Sequence, residues 1–134
     1  MSDFDSRTGW RRVIWSCAAA HGPLLTRYYL VETRWFAVYL HHLHTSDEDR
    51  ALHDHPWSFV TFLISGGYEE HTPAGIFWRR RFSVLYRPAE WQHRLVLRWP
   101  VWTLVIRCRR RREWGFWTDG EWMDYRTYER RFCD

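Results

Sequence analysis

Turn signals recur along this 134-residue chain at short, even intervals, and they leave no room for long helices. Gly22-Pro23, Glu32-Thr33-Arg34, residues 45–50, Gly66-Gly67, residues 72–75, Pro88-Ala89-Glu90, Pro100 and Asp119-Gly120 cut the sequence into short pieces. The runs between them are rich in Val, Ile, Thr, Phe, Tyr and Trp, residues that suit a pleated, half-buried strand. Residues 24–31 (L-L-T-R-Y-Y-L-V) and 35–44 (W-F-A-V-Y-L-H-H-L-H) read as a hairpin. Further strands are expected at 57–65, 68–71, 76–82, 83–87, 91–98 and 101–108, and a terminal hairpin over 114–118 and 121–125. Residues 10–20 read as a short strand or a helical turn, and 127–132 as a closing helical turn. Eight to ten short strands with little helix predict an all-β sandwich or barrel, one domain over residues 1–134. The run 59–64 is apolar on both parities, so one face lines a cavity while the other packs outward.

Eleven Trp residues demand broad faces or a cavity to line. All 20 basic residues are arginine, and the absence of lysine excludes Schiff-base and pyridoxal-phosphate chemistry and a lysine-bearing P-loop. Cys17, Cys108 and Cys133 are odd in number, far apart and without a C-x-x-C, and read as free thiols in a reducing compartment. No eighteen-residue apolar run and no charged-then-apolar leader is present, so the expectation is a cytoplasmic protein with no membrane partner. The runs Arg79-Arg80-Arg81 and 109–112 read as solvated turns rather than a nucleic-acid surface, because no recognised nucleic-acid motif accompanies them.

The chemistry concentrates at 52–67, L-H-D-H-P-W-S-F-V-T-F-L-I-S-G-G. Residues i and i+2 of a strand share a face, so His53 and His55 aim two imidazoles at one point while Asp54 points elsewhere. His93 sits in a second strand-like run, E-W-Q-H-R-L-V-L-R, and three neutral imidazoles suit a divalent transition metal. Glu69 is a further candidate ligand; Glu70, His71 or water are alternatives for a fourth position. Trp57, Phe59, Leu63, Trp91 and Leu95 share parity with the histidines and are expected to line the cavity as substrate-binding or core residues. Tyr86 and Arg87 are placed to position a substrate carboxylate or to form a solvated rim, since an Arg fork suits a carboxylate. His42 and His44 share a face upstream, and with His41 are assigned core or surface roles.

These residues resemble the cupins. His53-Asp54-His55 followed by Gly66 matches the spacing of H-x-H and the closing glycine in the first cupin motif, G-x5-H-x-H-x3-4-E-x6-G. Pro88 and His93 match the proline and histidine of the second, G-x5-P-x-G-x2-H-x3-N. The chain departs where the first motif has its glutamate (Phe59 or Val60 here), at the second motif's glycine (Glu90) and at its asparagine (Leu97). The resemblance, carried by residues 53–93, implies a double-stranded β-helix (jelly-roll) barrel with a metal held by His53, His55 and His93. What remains is similar to the three-histidine cupins, which include dioxygenases.

The functional expectation is a metal-dependent cupin enzyme, foremost a mononuclear non-haem Fe(II) oxygenase of a small anionic chelating substrate. Three neutral ligands leave open positions and an uncompensated double charge, which favours such a substrate. Zn, Ni, Mn or Cu would serve the same ligands, and a redox-inert metal would act as a Lewis acid for isomerisation, cyclisation or lyase chemistry. The other readings are a non-catalytic metal- or ligand-binding cupin and a metal-free epimerase using a histidine and a tyrosine. Edge strands and aromatic surface allow a homodimer.

Overall fold

The computed structural model describes residues 6–15, 22–47 and 51–132. Its strands are β1 (Ser6–Thr8), β2 (Arg11–Ile14), β3 (Leu25–Glu32), β4 (Phe36–Leu43), β5 (Leu52–His53), β6 (Phe59–Ser65) and β7 (Tyr68–Thr72). They continue as β8 (Gly75–Arg79), β9 (Val84–Arg87), β10 (Arg94–Leu97), β11 (Val101–Cys108), β12 (Gly115–Thr118) and β13 (Glu121–Asp124), before one helix, α1 (Tyr125–Phe132). The all-β expectation holds, with more and shorter strands than the sequence pattern implies. The 10–20 segment contributes β2, and its residues 16–20 lie outside the described residues, as do Cys17 and Cys133. Cys108 is exposed and free.

Seven strands form an antiparallel sheet in the order β1-β2-β3-β4-β11-β6-β9. Two three-stranded sheets, β10-β7-β8 and β13-β12-β5, are joined through an antiparallel bridge between His53 and His93. The two small sheets thereby act as one wall, and a cavity of about 310 Å³ lies between that wall and the large sheet. Alternation sets what faces it: along β4, Ala37, Tyr39, His41 and Leu43 are buried while Phe36, Val38, Leu40 and His42 are more accessible. Two apolar clusters frame the interior. Ala37, Tyr39, Phe59 and Val105 form one, and Leu43, Leu63, Tyr68 and Val101 the other. Each fully buried aliphatic side chain here, such as Leu63 or Val101, stabilises the fold by about 1.5–3 kcal/mol.

Glycine matters at two positions where the chain passes close to other groups. Gly66 has φ +72°, and a Cβ there would lie 2.5 Å from Trp99 Nε1, so the motif's closing glycine turns the chain where no side chain fits. A Cβ on Gly115 would lie 2.1 Å from the Met123 carbonyl oxygen. The terminal hairpin turns through Asp119 (φ 52°) and Gly120 (φ 79°), two successive positive φ values of the kind a two-residue hairpin loop needs. Outside the large sheet, Ile106, Val60 and Tyr86 lie side by side in register, as do Phe62 and Val84 in the neighbouring row. Among the described residues no helix is long and apolar enough to cross a membrane.

Candidate metal centre

The three histidines converge. One ring nitrogen from each of His53, His55 and His93 lies within 4.8 Å of the others, and the ring centroids are 4.8–5.2 Å apart. Backbone pairing explains why. His53 and His93 exchange N–H···O bonds of 2.9 and 3.0 Å, and the His55 N–H donates to the Ala89 carbonyl at 3.0 Å. The two motif segments, far apart in sequence, are thus stitched together by main chain before any side chain acts.

The three rings differ in how they are held. His93 Nδ1 hydrogen-bonds to Glu70 Oε2 at 2.6 Å, which leaves Nε2 with its lone pair for an ion. His53 Nδ1 lies 3.9 Å from Asp47 Oδ2. Among the described residues His55 Nδ1 is buried without a hydrogen-bond partner, the orphaned polar atom that an ion would satisfy. Burial lowers the His53 pKa to about 4 against a weaker upward pull from Asp47, and burial with the neighbouring His93 and His53 puts His55 well below its ordinary value. Neutral imidazole is the ligating form. The donor set fits a divalent transition metal, and all-nitrogen ligation leaves its identity open.

The carboxylates stand behind the histidines. Glu70 is wholly buried and accepts from Arg79 Nε (2.9 Å), Arg87 Nε (2.9 Å), Trp91 Nε1 (3.0 Å) and His93 Nδ1. It orients a ligand and does not join the cluster. Glu69, the sequence's candidate fourth ligand, takes the opposite parity and meets His71 Nε2 at 3.3 Å and Arg98 at 3.5 Å, away from the three rings. The position of the motif's glutamate is filled by Phe59, whose ring meets His55 edge-on at 4.7 Å. Asp54 is 1% exposed and accepts from Gly115 N, Trp117 Nε1 and Trp122 Nε1 at 2.7–3.2 Å, with Arg112 3.2 Å away.

Trp57, Phe59 and Leu95 line the cavity as the sequence suggests. Leu63 lies in the apolar cluster beyond it. Tyr86 does not reach the cavity: it is 60% exposed on the outer face, opposite Val60, because strand parity turns it outward. Arg87 does turn inward, but its guanidinium is bound to Glu70 and stacked at 4.2 Å over Trp91, so no fork remains for a substrate. Trp91 is engaged in the same network and is not a lining residue. Of the acidic 45–50 loop, Asp47 is no solvated residue: its Oδ2 accepts from Leu95 N at 2.7 Å, and residues 48–50 lie outside the described residues.

Sequence reasoning missed a polar row on the facing sheet. Arg27, His41 and Thr103 stand side by side across β3, β4 and β11, and all three line the cavity. His42 instead stacks on Trp102 at 4.0 Å, and His44 hydrogen-bonds Thr26 at 2.7 Å.

No protein-family model matches the chain. No curated protein matches it by sequence. Solved structures do match its fold. The polyketide cyclase RemF from Streptomyces resistomycificus is similar with a TM-score of 0.63 at 14% identity, over 79% of this chain and 77% of that one. An RmlC-like cupin from Shewanella frigidimarina gives 0.58 at 15% identity, over 82% and 94%. A sugar phosphate isomerase of the cupin superfamily from Silicibacter pomeroyi gives 0.58 at 16%, over 78% and 73%. The fold is therefore the cupin double-stranded β-helix, with a three-histidine cluster in its interior.

Proposed function

We propose that this protein is a metal-dependent cupin enzyme that binds one divalent transition metal through His53, His55 and His93 and acts on a small anionic chelating molecule. The observation that carries this reading is the orphaned, buried His55 Nδ1 in a cluster where Glu70 holds the His93 ring by its Nδ1. When bound, the metal supplies Lewis acidity and, as iron(II), the electrons for dioxygen chemistry. The chain's own residues do the rest. Glu70 keeps the His93 Nδ1 proton in place and the ring aimed. Three neutral rings leave the ionic charge uncompensated, which draws an anionic substrate. Trp57, Phe59 and Leu95 exclude water and pack the apolar part of that substrate. A cavity of about 310 Å³ suits a small molecule.

An Fe(II) oxygenase is the first reaction to test. Lewis-acid cyclisation or isomerisation is the second, favoured by the fold's similarity to a polyketide cyclase and a sugar phosphate isomerase. The test is elemental analysis by plasma mass spectrometry of untagged protein purified without chelators, beside His93→Ala. About one metal per chain, lost in the variant, is expected. Iron directs the search to oxygen-uptake assays, and zinc or nickel to Lewis-acid reactions. Wild-type protein that refuses Fe, Mn, Ni, Cu and Zn overturns the proposal. The exposed outer-face residues Ile106, Tyr86 and Val84 support a homodimer, which light scattering at micromolar concentration tests directly.

A further inference from the structure

The wall opposite the histidines carries a cation that the metal centre does not use. Arg27 projects from β3 into the cavity, and its Nε donates to His41 Nε2 at 2.9 Å. Its guanidinium carbon lies 4.4 Å from the centre of the Tyr39 ring and 6.0 Å from that of Tyr29, so aromatic faces hold the group in place. Among the described residues no ion pair joins Arg27 to a carboxylate. The cavity's Asp47 and Asp54 are engaged by Leu95 and by Gly115, Trp117 and Trp122 respectively, and Glu129 lines it from α1. Arg27 lines the cavity and is half-buried, and desolvation by burial lowers its pKa. Arg12, its cross-strand neighbour in β2, adds positive potential. His41 is held neutral by burial and by Arg27, and it accepts at Nε2, so the ring is fixed as the Nδ1–H tautomer.

Of the five N–H donors of this guanidinium, Nε goes to His41 and one more to the Tyr29 side chain, which leaves three, and one from each terminal nitrogen makes a planar edge. That edge matches a carboxylate bidentately. A phosphate would require several donors, and no lysine exists in the chain to help. We infer that Arg27 is a substrate-binding residue that receives a carboxylate on the wall facing the metal-ligating histidines, with Thr61 and Thr103 contributing hydroxyls to the same wall. The substrate class that follows is a small molecule with two polar ends: a chelating head for the metal and a carboxylate for Arg27, joined by an apolar segment against Phe59, Leu95 and Val105. This deepens the proposed metal-dependent function and rests on it for the chelating head alone.

The experiment uses full-length protein freed of metal by chelator dialysis, with pentanoate and pentanamide as matched probes in thermal-shift and calorimetric titrations. Wild type is expected to be stabilised by millimolar pentanoate and not by pentanamide. Arg27→Met is expected to weaken pentanoate at least tenfold, and Arg27→Lys to give an intermediate loss because charge survives without the fork. Equal response to acid and amide in wild type, unchanged pentanoate binding in folded Arg27→Met, or a preference for inorganic phosphate would each overturn the assignment. The acid–amide comparison needs no variant, so it decides even where a substitution prevents folding. Metal content measured on the same preparations keeps the two ideas apart. Pentanoate binding that follows Arg27 in a protein that takes no metal sinks the metal reading and leaves the anion site standing. Stoichiometric metal with no Arg27-dependent binding does the reverse.

Discussion

Glu70 and Asp54 are both buried carboxylates beside the clustered histidines, 0% and 1% exposed, yet they do different work. Glu70 gathers side-chain donors from β8, β9 and the 88–93 segment, and one of them is the His93 ring of the cluster. Asp54 gathers a backbone N–H and two indoles from the terminal hairpin, with Arg112 close by, and none of its hydrogen bonds goes to a ligand imidazole. One aims a side chain; the other anchors the segment between His53 and His55. The role of a buried acid is set by which donors converge on it, not by its distance from the site in sequence.

The comparison is open to breakage. Glu70→Gln has the largest expected effect, because it leaves Arg79 and Arg87 without their buried anion. A loss of about 3–5 kcal/mol in urea unfolding is expected, with metal affinity of the folded protein down about 10–100-fold in chelator competition. The same residue fixes an acid limb. Burial alone would raise the Glu70 carboxyl, but hydrogen bonds from His93, Arg87 and Arg79 outweigh it and hold the pKa far below the ordinary 4.5. The unfolded chain therefore takes up the proton first as pH falls. Glu70's contribution is whole above about pH 5.5 and drains away below it, so Glu70→Gln should flatten the profile there.

Leu63→Ala, on the apolar side of the same interior, is expected to cost about 2–5 kcal/mol without altering metal affinity per folded chain. It separates general loosening from loss of aim. Asp54→Asn should cost about 1–3 kcal/mol through its poorer acceptor set, and leave metal affinity within about threefold. If Asp54→Asn strips metal as thoroughly as Glu70→Gln, the division of labour drawn here is wrong. The smallest effect belongs to a third acid, Asp124, which caps α1 by accepting from Thr127 N at 2.8 Å. Asp124→Ala should fray the helix that brings Tyr128 and Glu129 to the cavity, read as a loss of helical circular dichroism at nearly unchanged metal affinity.

Much of this was legible in the sequence. The strand β11 has the limits its apolar run predicts, and the H-x-H pair meets His93 although only His53 belongs to a strand, because main-chain bonds from His53 to His93 and from His55 to Ala89 continue the extended path past the end of β5. The choice between Glu69 and Glu70 was not legible, because the positive-φ Gly66 interrupts the parity count between His55 and β7. Arg87 was misread for another reason. Its inward direction is visible in the pattern, but the partner that occupies its guanidinium lies 17 residues away on another sheet. The polar row of Arg27 and His41 was hidden because β3 and β4 carry apolar or aromatic residues on both faces, so alternation could not say which face is inside.

The bridge between His53 and His93 has a mechanical consequence. Two of the three imidazoles hang from a single hydrogen-bonded pair of residues, so their separation is set by a main-chain ladder rather than by the loops on either side. Strain entering from lengthening of the 72–75 turn would displace both rings together and leave their spacing intact. The span between them behaves as a fixed gauge, and variation in the surrounding loops can retune access to the cavity without recalibrating it.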